Sequence, residues 1–271
     1  MVQDLTERME ILHNTAYVHH HLGLGDHLAL NGLVNSLIEK WDLDRLFLFC
    51  WHHNLTNLQK LYNETKVTLI PLCTNCGKSE EQQVDEILAK ENISKDHYHD
   101  YINWETGKSG KYWKIGFDWY WKVCLSDPQN RAINISCDEC FYKQAKVDYS
   151  ARFDKFKYNR NEQREQDVYK LLNPNNEDYI FVAVEDYDRG NVCPTKNKIR
   201  TDLKIIENPK DINVFDLGKI YENAKEIHLM ESSIRCLLEA KTFNINAKMF
   251  LHSYRGNTPN NRSSRHNWTV F

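Results

Sequence analysis

The chain has 271 residues, 41% of them hydrophobic and 12% aromatic, which is enough apolar material for one large α/β domain or two smaller ones. Charged residues make up 27% and the formal net charge is −3, so the balance carries no general nucleic-acid signal. No apolar run reaches the length of a membrane span, and the opening Met-Val-Gln-Asp-Leu-Thr-Glu-Arg lacks the apolar core of a signal peptide, so a cytosolic protein is expected.

In chain order, residues 15–21 read as a strand and 27–40 as a helix that buries Leu28, Leu30, Leu33, Val34 and Leu37. Between them lies His21-Leu-Gly-Leu-Gly-Asp-His27. Gly23 and Gly25 suit a sharp turn and close approach to a ligand, with Asp26 and His27 where the helix begins. In the run His19-His20-His21, alternation along a strand turns His19 and His21 to one side and His20 to the other, so it is no ready three-ligand metal site.

Residues 45–50 form an apolar run suited to a buried parallel strand, 54–63 a helix, 66–71 a strand closed by Pro71, and 80–91 another helix. This alternation predicts a doubly wound parallel sheet. The pair Cys73/Cys76 could meet Cys137/Cys140 in a four-thiolate zinc site, but their separation far exceeds the usual ribbon spacing, and reduced thiols are favoured. Residues 96–136 carry Trp104, Trp113, Trp119 and Trp121, whose flat faces suit either a sugar platform or core packing.

Residues 137–172 read as one or two charged helices bridging the halves. A strong buried strand at 178–184 opens a second α/β unit, followed by strands near 203–206 and 226–230, helices at 216–223 and 232–242, and a strand at 247–252. Polar residues follow directly on the strand at 178–184, where doubly wound folds bind ligands. Arg189 offers a planar fork for a diphosphate or for the acidic residues beside it, and Asp186-Tyr-Asp188 has the spacing of a divalent-metal pair. Ser232 and Ser233, after Glu231, offer hydroxyls and helix-start N–H groups to a phosphate, or plain capping. The glycine turn lacks the third glycine of a dinucleotide fingerprint, and no P-loop is present.

Together these motifs resemble the GT-B-fold glycosyltransferases, notably small bacterial and large-DNA-virus members, and the Gly-Asp turn is similar to that of bacterial heptosyltransferases. The resemblance is carried by residues 21–27 with Asn31-Gly-Leu-Val, by Asp-Glu-Cys-Phe-Tyr-Lys-Gln-Ala (138–145) with Arg152 and Arg160, by Tyr179 to Val184 with Asp186 and Arg189-Gly190, by Glu231-Ser-Ser, and by Arg255 with Asn267-Trp268. It departs at Val184, where relatives carry a histidine.

The resemblance implies two Rossmann-like lobes facing a cleft, residues 1–150 on the acceptor side and 151–271 binding a UDP- or GDP-sugar, with no further cofactor. It implies Asp26 as general base toward a glycan hydroxyl, with inversion and without metal. His21, Gly23, Gly25 and His27 would line the sugar site, and Asp186, Arg189, Glu231, Ser232 and Ser233 would hold the nucleotide diphosphate. A metal-dependent enzyme centred on Asp186 and Asp188, or a non-catalytic carbohydrate-binding protein built on the aromatic segment, are the alternatives.

Overall fold

The computed structural model describes residues 14–93, 111–116, 120–133, 135–186, 191–253 and 264–271. Two parallel sheets organise it. The first takes strands β1 (Thr15–His19), β2 (Arg45–Trp51), β3 (Val67–Leu72) and β4 (Lys111–Lys114), in the spatial order β3-β2-β1-β4. Every neighbouring pair is parallel. The run Leu46–Cys50 is apolar without alternation because the sheet is covered on both faces, and Leu46, Leu48, Phe49 and Cys50 are fully buried. Pro71 does not end β3, as expected, but lies inside it; β3 is an edge strand, where a missing N–H goes unnoticed.

Helices α1 (Leu24–Lys40), α2 (Leu55–Leu61) and α3 (Glu80–Lys90) provide the crossovers. A third segment holds α4 (Pro128–Ala132), α5 (Cys137–Gln144), α6 (Ala151–Asp154) and α7 (Glu162–Leu172). It has more and shorter helices than the one or two expected after residue 137. Trp113, offered as a platform candidate, sits in β4 and is buried beside Trp41, with ring centroids 6.5 Å apart. Trp104 and Trp119 lie outside the described residues.

The second sheet takes β5 (Tyr179–Ala183), then, past the small antiparallel hairpin β6 (Glu185–Asp186) and β7 (Asn191–Val192), strands β8 (Lys204–Glu207), β9 (Glu226–Leu229), β10 (Lys248–Leu251) and β11 (Trp268–Val270). Its order is β11-β10-β9-β5-β8, again all parallel. Helices α8 (Gly218–Asn223) and α9 (Ser233–Leu238) accompany it. Strand β5 is buried at every position, as its unbroken Tyr-Ile-Phe-Val-Ala requires.

Helix α1 joins the parts. The carbonyl of Ala151 would lie 2.0 Å from a Cβ on Gly32, so only glycine lets α6 cross α1 this closely. Asn35 Nδ2 donates to the Lys155 carbonyl at 3.0 Å, and Asn31 Oδ1 accepts from the Lys157 N–H at 2.8 Å. Farther out, Lys60 of α2 pairs with Asp216 at 2.6 Å and Asn213 donates to Asn57 at 2.7 Å. Among the described residues no helix is long and apolar enough to cross a membrane.

Candidate active site

In open parallel sheets, ligands bind beyond the carboxyl ends of the strands where the strand order reverses. The first sheet reverses between β1 and β4, and the second between β5 and β9. The segments that leave those strands are His20–Gly23 after β1, Ile115–Gly116 after β4, Val184–Glu185 after β5 and Met230–Ser232 after β9. Topology therefore brings the sequence motifs to the two switch points.

Strand β1 ends at His19 and α1 begins at Leu24, three residues earlier than expected. Asp26 is thus the third residue of the helix. Its carboxylate folds back over Gly23, toward the N–H groups of Gly23 and of Asp26 itself. A Cβ on Gly23 would stand 2.7 Å from Asp26 Oδ2. Gly23 has φ −68°, and the only described glycines in the left-handed region are Gly77 and Gly116. Gly23 and Gly25 therefore serve close approach and not the sharp turn expected of them.

Gly25 faces the second sheet's helix start. A Cβ there would lie 3.7 Å from Ser233 Cα and 3.7 Å from Cys236 Sγ. The first turns of α1 and α9 are in contact, with Asp26 beside them. Burial pushes the Asp26 carboxyl above the usual range, against the opposing pull of His21 and the two N–H donors. Its charge in turn acts on Cys137 at the start of α5, pushed up to about 12 chiefly by burial, and on Cys236, also raised by burial.

His21 packs on Phe141 at 5.0 Å between ring centroids. Gly116, with φ +90°, leaves room for both: a Cβ there would meet Phe141 at 2.8 Å and His21 Cδ2 at 3.0 Å. His27 is different from the expectation. One residue beyond Asp26, it is turned about 100° around the helix into the core. Its ring is fully buried 4.4 Å from that of His20, and neither of its nitrogens has a hydrogen-bond partner. It is no surface contact for a sugar. His19 is tied instead to Tyr112 Oη at 2.8 Å and Glu80 Oε1 at 2.7 Å, so the three consecutive histidines have three separate surroundings.

On the other side, Ser232 is the N-cap of α9, but its side chain makes no capping bond and its Oγ is buried without a partner. Glu231 is buried and accepts from Ser253 Oγ at 3.0 Å. Two arginines stand nearby that sequence reasoning did not assign to the site. Arg152, buried, pairs with Asp138 and donates to Tyr149 Oη at 2.6 Å. Arg235, third in α9, lies over Trp268 with its Nε buried and unpartnered. Both charges act on Cys236, and so on the ground between α1 and α9. For Arg235 the legible signal was the spacing Ser-Ser-x-Arg, about one helical turn.

Asp186 lies in β6, and nothing is described of its side chain; Asp188 and Arg189 lie outside the described residues. The four-cysteine zinc site is overturned. Cys140 is bonded to Cys124 in a disulfide, which also corrects the reading of Cys140 as a reduced thiol. Cys137 is half-buried, whereas Cys73 and Cys76 are exposed on another loop. Among the described residues no group of three or more His, Cys, Asp or Glu is placed to hold a metal ion.

No family model matches the chain. No curated protein matches it either. Solved structures do. The chain is similar to a glycosyl transferase of family 9 from Veillonella parvula, at 10% identity and a TM-score of 0.55, over 97% of this chain and 87% of that one. It is also similar to the ADP-heptose LPS heptosyltransferase II of E. coli, at 8% identity and a TM-score of 0.53, over 95% of this chain and 90% of that one. The fold is therefore glycosyltransferase-like and of GT-B type, as the sequence motifs imply.

Proposed function

We propose that the protein is a glycosyltransferase that moves a sugar from a nucleotide diphosphate to a glycan hydroxyl. The observation that carries this reading is the contact between the first turns of α1 and α9, with Asp26 beside it, at the switch points of two parallel sheets. In this reading the sheets belong to two lobes, residues 1–150 receiving the acceptor and 151–271 the donor, a UDP- or GDP-sugar, with no further cofactor. Asp26 takes the proton of the acceptor hydroxyl as that oxygen attacks the anomeric carbon. A carboxyl whose pKa is raised by burial is a stronger base for this step than an exposed one. Attack opposite the leaving diphosphate inverts the anomeric centre.

Ser232 and Ser233, Glu231, Arg189 and the Asp186 segment would hold the nucleotide diphosphate, with Arg235 and Arg152 adding positive charge as it leaves. Those cations serve where other enzymes use a metal. His21, Gly23 and Gly25 form the acceptor wall.

The test is a donor panel of UDP-, GDP-, ADP- and dTDP-sugars, ADP being included because a protein of like fold is an ADP-heptose enzyme. Binding is read by thermal shift and turnover by sugar release, with and without EDTA. Wild-type protein should be stabilised by one donor class and turn it over in EDTA. Asp26→Asn should keep donor binding and lose turnover by about 10²–10⁴-fold, the usual scale of general-base removal. Undiminished turnover by Asp26→Asn removes the base, and loss in EDTA favours a metal at Asp186 and Asp188.

A further inference from the structure

The segment Cys73-Thr-Asn-Cys76-Gly-Lys-Ser joins β3 to α3 and has no part in the site above. It is built with care for an exposed turn. Gln83 of α3 grips Cys73 with both ends of its amide: Oε1 accepts from the Cys73 N–H at 2.8 Å, and Nε2 donates to the Cys73 carbonyl at 2.8 Å. Ser79 closes the other end with a full capping box to Gln82. Between these anchors Gly77 adopts φ +74°, with open space where a Cβ would lie. The reversal sets the Cys76 sulfur 3.7 Å from the Cys73 carbonyl, to which its thiol donates. Residues 73–79 are all exposed.

A tight turn that exposes two cysteines three residues apart, with the second sulfur folded back on the first cysteine's carbonyl, is a ready two-thiolate ligand for a soft or borderline metal. Neither cysteine heads a helix: Cys73 follows a strand directly and α3 starts only at Glu80. The arrangement thus differs from dithiols activated at a helix N-terminus. Structural zinc takes four ligands. Among the described residues no third His, Cys, Asp or Glu stands with this pair. An exposed pair can reach a second pair in another molecule, and a two-fold axis through the metal supplies the same two thiolates again.

We propose that Cys73 and Cys76 form half of a zinc site that is completed by the same pair from a second copy of this chain, so that zinc bridges two molecules. On binding, four Zn–S bonds form and the thiol protons still present pass to solvent; no sulfur changes oxidation state.

The experiment uses the full chain, reduced and stripped with a chelator, then titrated with Zn²⁺. Sedimentation equilibrium should show the mass doubling, metal analysis should give one zinc for every two chains, and EDTA should reverse both. Co²⁺ in place of zinc should give sulfur-to-metal charge-transfer absorption. Cys73→Ser and Cys76→Ser, at exposed positions, should stay folded by circular dichroism, stay monomeric in zinc and lose the cobalt band. A wild-type chain that stays monomeric in zinc overturns the proposal. So does one zinc bound per monomer, or a zinc-dependent dimer that survives either substitution.

Discussion

Gly25 in the first turn of α1 stands directly against Ser233 in the first turn of α9, at 3.7 Å from where its Cβ would be to the Ser233 Cα. These residues are far apart in sequence, and their contact sets how the carboxylate of Asp26 meets the segment after β9. The space admits a methyl group and little more. Gly25→Ala should keep the fold and gain helix propensity of up to about 1 kcal/mol. Gly25→Leu must push α9 away, at about 1–3 kcal/mol, and should cut sugar transfer more than it cuts thermal stability. Equal activity of the two variants would detach this contact from function.

A second device lies one turn further along α1. The Tyr142 hydroxyl accepts from the Leu33 N–H at 3.0 Å and donates to the Ala29 carbonyl at 2.9 Å. In an uninterrupted helix those two groups pair with each other. A fully buried hydroxyl thus bridges the ladder of α1, the arrangement that bends helices. Tyr142→Phe keeps the ring and removes the bridge. Urea unfolding should show a loss of about 1–3 kcal/mol, the cost of leaving buried polar groups unpaired. A neutral substitution would mean that the helix closes on itself.

How much of this was legible depends on the range of the interaction. Strands β2 and β5 announce themselves because a sheet buried on both faces needs unbroken apolar residues, and Leu-Phe-Leu-Phe-Cys and Tyr-Ile-Phe-Val-Ala supply them. Asp26 and Ser232–Ser233 were visible as polar residues between a strand and a helix. What surrounds Asp26 was not. Cys137, Cys236 and Arg235 arrive from elements more than a hundred residues away, and no local pattern encodes that meeting. The helix start was misplaced because Gly23-Leu-Gly25 has poor intrinsic propensity, which packing against α9 overrides. His27 was misread for want of one helical rotation. Strand β4 escaped because Lys-Tyr-Trp-Lys is short and sits in a segment whose aromatics fitted either a sugar platform or core packing, with no period to mark a strand.

Arg160 ties together α7, α8 and the chain beyond α9. Its guanidinium pairs with Glu165, which is fully buried, and with Glu222 at 2.6 Å, and donates to the Thr242 carbonyl at 3.3 Å. Gly218 makes room for this knot, since a Cβ there would stand 2.2 Å from Glu165 Oε2. Arg160→Ala leaves a buried carboxylate without its partner and should cost about 3–5 kcal/mol. Arg160→Lys cannot span two carboxylates and should recover only part of that. Chemical denaturation of the three proteins checks the order; a stable alanine variant would contradict it.

Acid should destabilise the protein before its carboxylates titrate. Burial pushes His20 down to about 3, and it lowers His27 well below the ordinary histidine value of 6.5. Burial likewise lowers His228, and His252 to about 4. The His20 and His27 rings touch each other, and His20 Nδ1 lies 2.5 Å from the His21 carbonyl, while its Nε2 has no partner. With folded values below the unfolded one, the unfolded chain binds protons that the folded chain refuses. Stability is therefore complete above about pH 6.5 and falls as the pH drops toward the folded values. Between pH 7.5 and 5.5 a fully buried histidine held well below its ordinary value, as at His20 and His27, should remove about 1.4 kcal/mol. Asp26 works the other way: its raised folded value makes the folded state the better proton acceptor, which offsets part of the loss nearer the carboxylate range. Urea unfolding at pH 7.5 and 5.5 should show a clear drop in midpoint. His27→Phe, which keeps a ring in the same buried space, should shrink that drop by about one histidine's share. An unchanged midpoint between the two pH values would mean that the buried pair accepts protons without cost.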